Sequence, residues 1–161
     1  MPRLTPRLLL TLISLACAGS VGLALLAQHR YGMEPCPWCI LQRMLFVVLA
    51  VLGLLAAALP GLARRVLAGV ALLGALGGMA AALWQHFVAA QSSSCALTLA
   101  DRIITATGLD VRWPEAFEVR ASCADAAVSV LGVPFELWSL ALFALTGVIL
   151  LANVLASGRR A

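Results

Sequence analysis

The residues of this 161-residue chain best suited to chemistry are its five cysteines, Cys17, Cys36, Cys39, Cys95 and Cys123. Cys36-Pro37-Trp38-Cys39 is a C-x-x-C motif. That spacing can carry a redox disulfide, hold a metal, or staple a loop. Covalent haem attachment needs His directly after the second cysteine, and Ile40 stands there. Zinc would need two more ligands at compact spacing, whereas Cys95 and Cys123 each stand alone. Pro35 and Pro37 ahead of an apolar run predict an extended approach and then a helix start. Cys39 then falls in the first helical turn, where the helix dipole stabilises a thiolate, the nucleophilic form of cysteine. Arg43, one turn further, shares its helix face. Gln42 adds a neutral donor beside it.

The elements that must position these groups are membrane helices. The chain is 63% hydrophobic and 11% charged, with a mean hydropathy of +1.02. A soluble domain is roughly half apolar and about a quarter charged. Lipid admits only helices and closed barrels, and a barrel would show alternating polarity in each strand. Continuous apolar runs cover residues 8–27, 40–59, 66–88 and 135–156 instead. Each is close to the ~20 residues that cross ~30 Å of hydrocarbon. The expectation is an all-α fold, a four-helix transmembrane bundle forming a single membrane domain over residues 1–161. The first run outlasts a secretory signal's apolar region of about 7–15 residues, so it is expected to stay as a helix. Cys17 would then act as a small buried hydrophobe.

Every basic residue other than the two histidines is Arg. Arg3 and Arg7 precede the first run, Arg64 and Arg65 sit in the turn after Leu59-Pro60-Gly61, and Arg159 and Arg160 close the chain. With four alternating helices these clusters share one side, and arginine-rich short segments mark it as cytoplasmic. The acidic residues, Glu34, Asp101, Asp110, Glu115, Glu118, Asp125 and Glu136, fall on the other side. The net charge of +4 thus reflects topology; no basic patch interleaved with aromatics suggests nucleic acid. Cys36, Cys39, Cys95 and Cys123 all lie in outward-facing segments, where disulfides persist. In the second of these, Leu99, Ile103 and Ile104 are spaced as in a short amphipathic helix on the membrane surface, broken near Gly108. Cys95 follows the accessible stretch Gln91-Ser-Ser-Ser. Arg43 falls near or just inside the membrane surface, where an ionisable residue is a functional candidate, although snorkelling is the commoner role. Gly74 and Gly78 form a G-x-x-x-G on the third span, expected to serve packing within the bundle.

The string Glu34-Pro-Cys-Pro-Trp-Cys-Ile-Leu-Gln-Arg43 closely resembles the signature of the disulfide bond formation protein B family. Over nearly the whole chain the resemblance extends to the four spans, the long second outer loop with two cysteines, and Leu131-Gly132, Pro134 and Trp138 before the last span. It implies a bacterial inner-membrane enzyme that reoxidises a periplasmic thioredoxin-fold oxidase and passes the electrons to a quinone, either ubiquinone or menaquinone. By position, it implies that Cys36 and Cys39 form the quinone-proximal disulfide and Cys95 and Cys123 the partner-facing one. Cys95 would form the mixed disulfide with the oxidase. Arg43 would support the quinone, with Gln42 beside it and His86 near it. No metal is expected, and the G-x-x-x-G read as internal packing leaves a monomer as the expectation. Two rivals exist. A vitamin K epoxide reductase-like enzyme carries its C-x-x-C before its last span. A non-enzymatic membrane protein would use the cysteines as staples or metal ligands.

Overall fold

A computed structural model describes residues 5–91 and 98–158; Arg3, Cys95, Arg159 and Arg160 lie outside them. The fold is all-α. Four helices are long and apolar enough to cross a membrane: α1 (Pro6–Tyr31), α2 (Pro37–Ala58), α3 (Gly61–Phe87, continued by a 3-10 turn to Gln91) and, last in the chain, a helix over Phe135–Gly158. Between α3 and that last helix come α4 (Leu99–Thr107), α5 (Leu109–Arg112), α6 (Pro114–Phe117) and a hairpin of β1 (Ser129–Val130) with β2 (Val133–Pro134); the last helix is α7.

Local chemistry explains the helix ends. Thr5 caps α1 by accepting from the Leu8 N–H, and Gly32 ends it in the left-handed region at φ 63°, which glycine adopts without steric cost. Pro37 opens α2 at its first position, with Cys36 as its cap. The Arg64 side chain donates to the Ala56 and Leu59 carbonyls at 3.3 and 3.2 Å, closing the end of α2. A capping box between Thr98 and Asp101 starts α4, and Gly108 ends it.

Two details differ from the sequence expectation. Helix α1 runs on through Gln28–Tyr31, because polar residues end a hydropathy signal without ending the helical hydrogen bonding. Helix α3 already begins at Gly61, so Arg64 and Arg65 belong to its first turns and not to a connecting turn. The short helix expected after Cys95 is present as α4 and stops at Gly108. Its Ile104 packs with Ile40 of α2 and with Phe117.

Ala68, Ala71, Ala75, Gly78 and Ala82 run down one stripe of α3, and all are buried. Small residues let helix backbones approach where lipid supplies no hydrophobic drive between them. Phe143 of α7 lies against Gly78, where an added Cβ would collide with its ring. Phe143 also stacks on Phe46 of α2, with ring centroids 4.0 Å apart. Gly74 faces Leu49 of α2. Both glycines of the G-x-x-x-G therefore serve contacts within this chain. Cys17 is buried in the same core, its sulfur 3.6 Å from Thr146 Oγ1 of α7.

Candidate active site

Four alternating helices gather the end of α1, the start of α2, the end of α3 and the start of α7 at one end of the bundle. The thiols lie there. Cys36 is fully buried, and its sulfur accepts from the Cys39 N–H at 3.3 Å while lying 2.9 Å from the Cys39 sulfur. The two sulfurs are in direct contact. Cys123 packs on the other side of Cys36, and the two thiols are hydrogen-bonded. What brings it there is backbone pairing between loops: the Arg120 and Ala121 N–H groups donate to the Pro35 carbonyl at 3.0 and 3.3 Å.

The three sulfurs are not equivalent. Cys36 donates to Cys123 and to Cys39 in a buried setting, which pushes its thiol up, so it holds its proton. Cys123 is held below the ordinary thiol range, first by accepting from Cys36 and further by the Trp38 backbone N–H at the start of α2, against the opposing effect of burial.

Arg43 is buried. Its Nη1 donates to Gln28 Oε1 of α1 at 3.1 Å and to the Ala116 carbonyl of α6. Its Nε has no hydrogen-bond partner among the described residues. The sequence placed Arg43 beside Cys39; Gln85 of α3 also reaches that sulfur, by a hydrogen bond. Gln42 Nε2 donates to Gln85 Oε1 at 2.7 Å, which leaves Gln85 Nε2 to donate to the Cys39 sulfur at 3.2 Å. Gln85 and Gln28 escaped the sequence reading, although a glutamine in an apolar span is itself a signal, since burying an amide requires partners.

Cys39, Gln42, Arg43 and Gln85 form one wall of a cavity of about 1110 Å³ between α1 and α7. Val21, Ala24 and Leu26 of α1, Phe46, Leu142 and the β1–β2 hairpin line the rest. His86 is not in that wall. Its Nδ1 pairs at 2.8 Å with Oε1 of Glu136, which is. His29 is exposed and pairs with Glu115 at 3.2 Å. A long apolar cavity with polar groups at one end fits an amphiphile whose head accepts hydrogen bonds. Arg43, in that wall, carries donors of the kind such a head needs.

A four-helix membrane fold whose thiols converge beside an apolar cavity defines the class: a membrane thiol–disulfide protein. The family model for disulfide bond formation protein DsbB matches residues 6–153. The chain is 35% identical to disulfide bond formation protein B 1 of Pseudomonas putida, covering 96% of this chain and 94% of that protein. It is 38% identical to disulfide bond formation protein B of Verminephrobacter eiseniae, covering 97% and 89%, and 33% identical to that of Ralstonia nicotianae, covering 92% and 94%. No solved structure matches the chain. The chain belongs to the DsbB family, and its role is in disulfide bond formation.

Proposed function

We propose that this chain is a quinone-dependent protein-disulfide oxidoreductase of the bacterial inner membrane. The observation that carries the reading is the position of Cys36, in contact with Cys123 on one side and with Cys39 on the other, while Cys39 opens on the apolar cavity. Both termini face the cytoplasm, and the thiols face the periplasm.

The relay starts outside the described residues. A thiolate of a reduced, DsbA-like thioredoxin-fold oxidase attacks Cys95 in a Cys95–Cys123 disulfide and releases Cys123. The Cys123 thiolate attacks Cys36 of a Cys36–Cys39 disulfide; a Cys36–Cys123 bond forms and Cys39 leaves. Exchange of this kind conserves electrons and depends on the thiolate of the attacker and on access. The contact between Cys123 and Cys36, with Cys123 the more acidic thiol, supports that direction of attack. Cys39 is released as a thiolate in the first turn of α2, where the helix terminus and the Gln85 amide stabilise it. The second thiol of the oxidase displaces Cys95 and leaves oxidised. The Cys95 thiolate attacks Cys123, reforming Cys95–Cys123 and releasing Cys36. When the Cys36–Cys39 disulfide reforms from that dithiol, two electrons and two protons leave. A quinone, ubiquinone or menaquinone, would supply the acceptor when bound; Arg43 and Gln42 would hold its head, with His86 near them. The protein works as a monomer.

The test is to mix the purified protein with the reduced oxidase and either ubiquinone or menaquinone. Two oxidase thiols should be lost for each quinol formed, with one quinone preferred. No turnover with either quinone would sink the reading.

A further inference from the structure

Glu136 has no part in the relay above, yet it is the carboxylate that faces the cavity. It sits in the first turn of α7 and is 5% exposed. A buried carboxylate at the wall of an apolar cavity is costly without a partner or a function. Its partner is His86 of α3, through the 2.8 Å contact between Nδ1 and Oε1. The His86 side chain is 31% exposed, at the same end of the bundle as Cys36. The pair therefore runs from the cavity wall to a partly exposed ring by one hydrogen bond. Packing alone gives no reason for it: α3 and α7 already interlock at Gly78 and Phe143, and a polar pair rarely adds stability over apolar contact.

We propose that Glu136 is a proton donor to the quinone head in the cavity and that His86 recharges it. The proposal rests on the reading of the chain as a thiol–quinone oxidoreductase. Reduction of a quinone to a quinol takes up two electrons and two protons; oxidation of the Cys36 and Cys39 thiols to their disulfide releases two of each. Glu136 passes one of these protons from its carboxyl into the cavity and becomes a carboxylate; one of the two thiol protons supplies the other. The protonated His86 then transfers its Nδ1 proton to Oε1 and regains one from the outer solution. A thiol proton released to that solution keeps the exchange neutral, so no further oxidant or reductant is needed.

The experiment compares wild type, Glu136→Gln, Glu136→Asp and His86→Gln with a short-chain ubiquinone. Glu136→Gln keeps a hydrogen-bonding partner for His86 but cannot donate an acidic proton. General acid catalysis is worth about a hundredfold or more, so kcat should fall at least tenfold. KM should stay within about twofold. Binding of the ubiquinone to the oxidised protein, read by tryptophan fluorescence quenching, should also stay within about twofold. Glu136→Asp should recover part of kcat. Infrared difference spectra of the wild type during quinone reduction should contain a carboxylic acid band that Glu136→Gln lacks. An unchanged kcat, a loss confined to KM and binding, an aspartate no better than glutamine, or a missing carboxyl band would each overturn the proposal. If Glu136→Gln does not fold, His86→Gln and the wild-type infrared band decide. A wild type that cannot reduce quinone with its own thiols would instead overturn the underlying reading.

Discussion

Gln85 Nε2 donates to the Cys39 sulfur at 3.2 Å, from a helix other than the one that carries the cysteine. The amide is not free to turn away, because its Oε1 is held by Gln42. A hydrogen bond to a charged group contributes about 1.5–3 kcal/mol, and this one favours Cys39 as a thiolate. Gln85→Leu should therefore slow single-turnover quinone reduction by roughly ten- to a hundredfold. Gln42→Leu should reproduce a smaller part of the loss by freeing the Gln85 amide. Wild-type rates in Gln85→Leu would show the contact to be idle.

Arg43 does two things, and its substitution should show both. It lines the cavity, and its Nη1 ties α1 and α6 together through Gln28 and the Ala116 carbonyl. Arg43→Ala should weaken apparent quinone affinity at least tenfold, about 1.4 kcal/mol. It should also lower the melting temperature by several degrees, since each buried acceptor left unpaired costs about 1–3 kcal/mol. Quinone titration and thermal unfolding in the same detergent separate the two effects. An unchanged quinone affinity would remove Arg43 from the site.

The parts of this arrangement that were legible in the sequence are local ones. Four apolar runs predict four spans because lipid tolerates little else. Cys39 and Arg43 could be placed on one face of a helix start because Pro37 and the i,i+4 spacing determine it. What could not be read depends on helix ends meeting. Gln28, Gln85 and Glu136 lie on three different helices, and their functions arise only where those helices converge. The meeting of Cys123 with Cys36 is set by backbone donors of Arg120 and Ala121 reaching Pro35, and backbone pairing between loops leaves no mark in side-chain spacing.

The unequal thiols give a pH signature. In the reduced protein, Cys123 is held below the ordinary thiol range and Cys36 above it. A thiol reacts with iodoacetamide as its thiolate, so a lowered Cys123 keeps reacting as the pH falls past the point where a free cysteine, with a midpoint near ~8.5, has slowed. Cys36 should be the last of the pair to react as pH rises. Cys36→Ala deletes the largest cause of the lowering, so the Cys123 midpoint should move up. Site-resolved alkylation by mass spectrometry over a pH series checks this. A Cys123 midpoint unmoved by Cys36→Ala would mean that the sulfurs do not share a proton.

The order of exchange can be trapped. If the oxidase enters at Cys95 and Cys123 is the group displaced, then Cys123→Ala leaves the mixed disulfide with no internal thiol to resolve it. A covalent complex with the oxidase should accumulate and be visible on a non-reducing gel. It should vanish when Cys95→Ala is added. A complex that survives Cys95→Ala would place the entry point at another cysteine.

Adjacent glycines separate packing from chemistry. At Gly78 an added Cβ would run into the Phe143 ring, which is itself stacked on Phe46, so the ring cannot retreat without losing that contact. At Gly77 nothing lies within 4 Å of the same added atom. Gly78→Ala should cost about 1–3 kcal/mol, the usual penalty for overpacking a dense core, and should lower the melting temperature in detergent. Gly77→Ala should be neutral or slightly stabilising, because alanine is worth up to ~1 kcal/mol more than glycine in a helix. Equal effects at the two positions would show that α3 and α7 do not interlock through Phe143, and the cavity wall that depends on α7 would need to be redrawn.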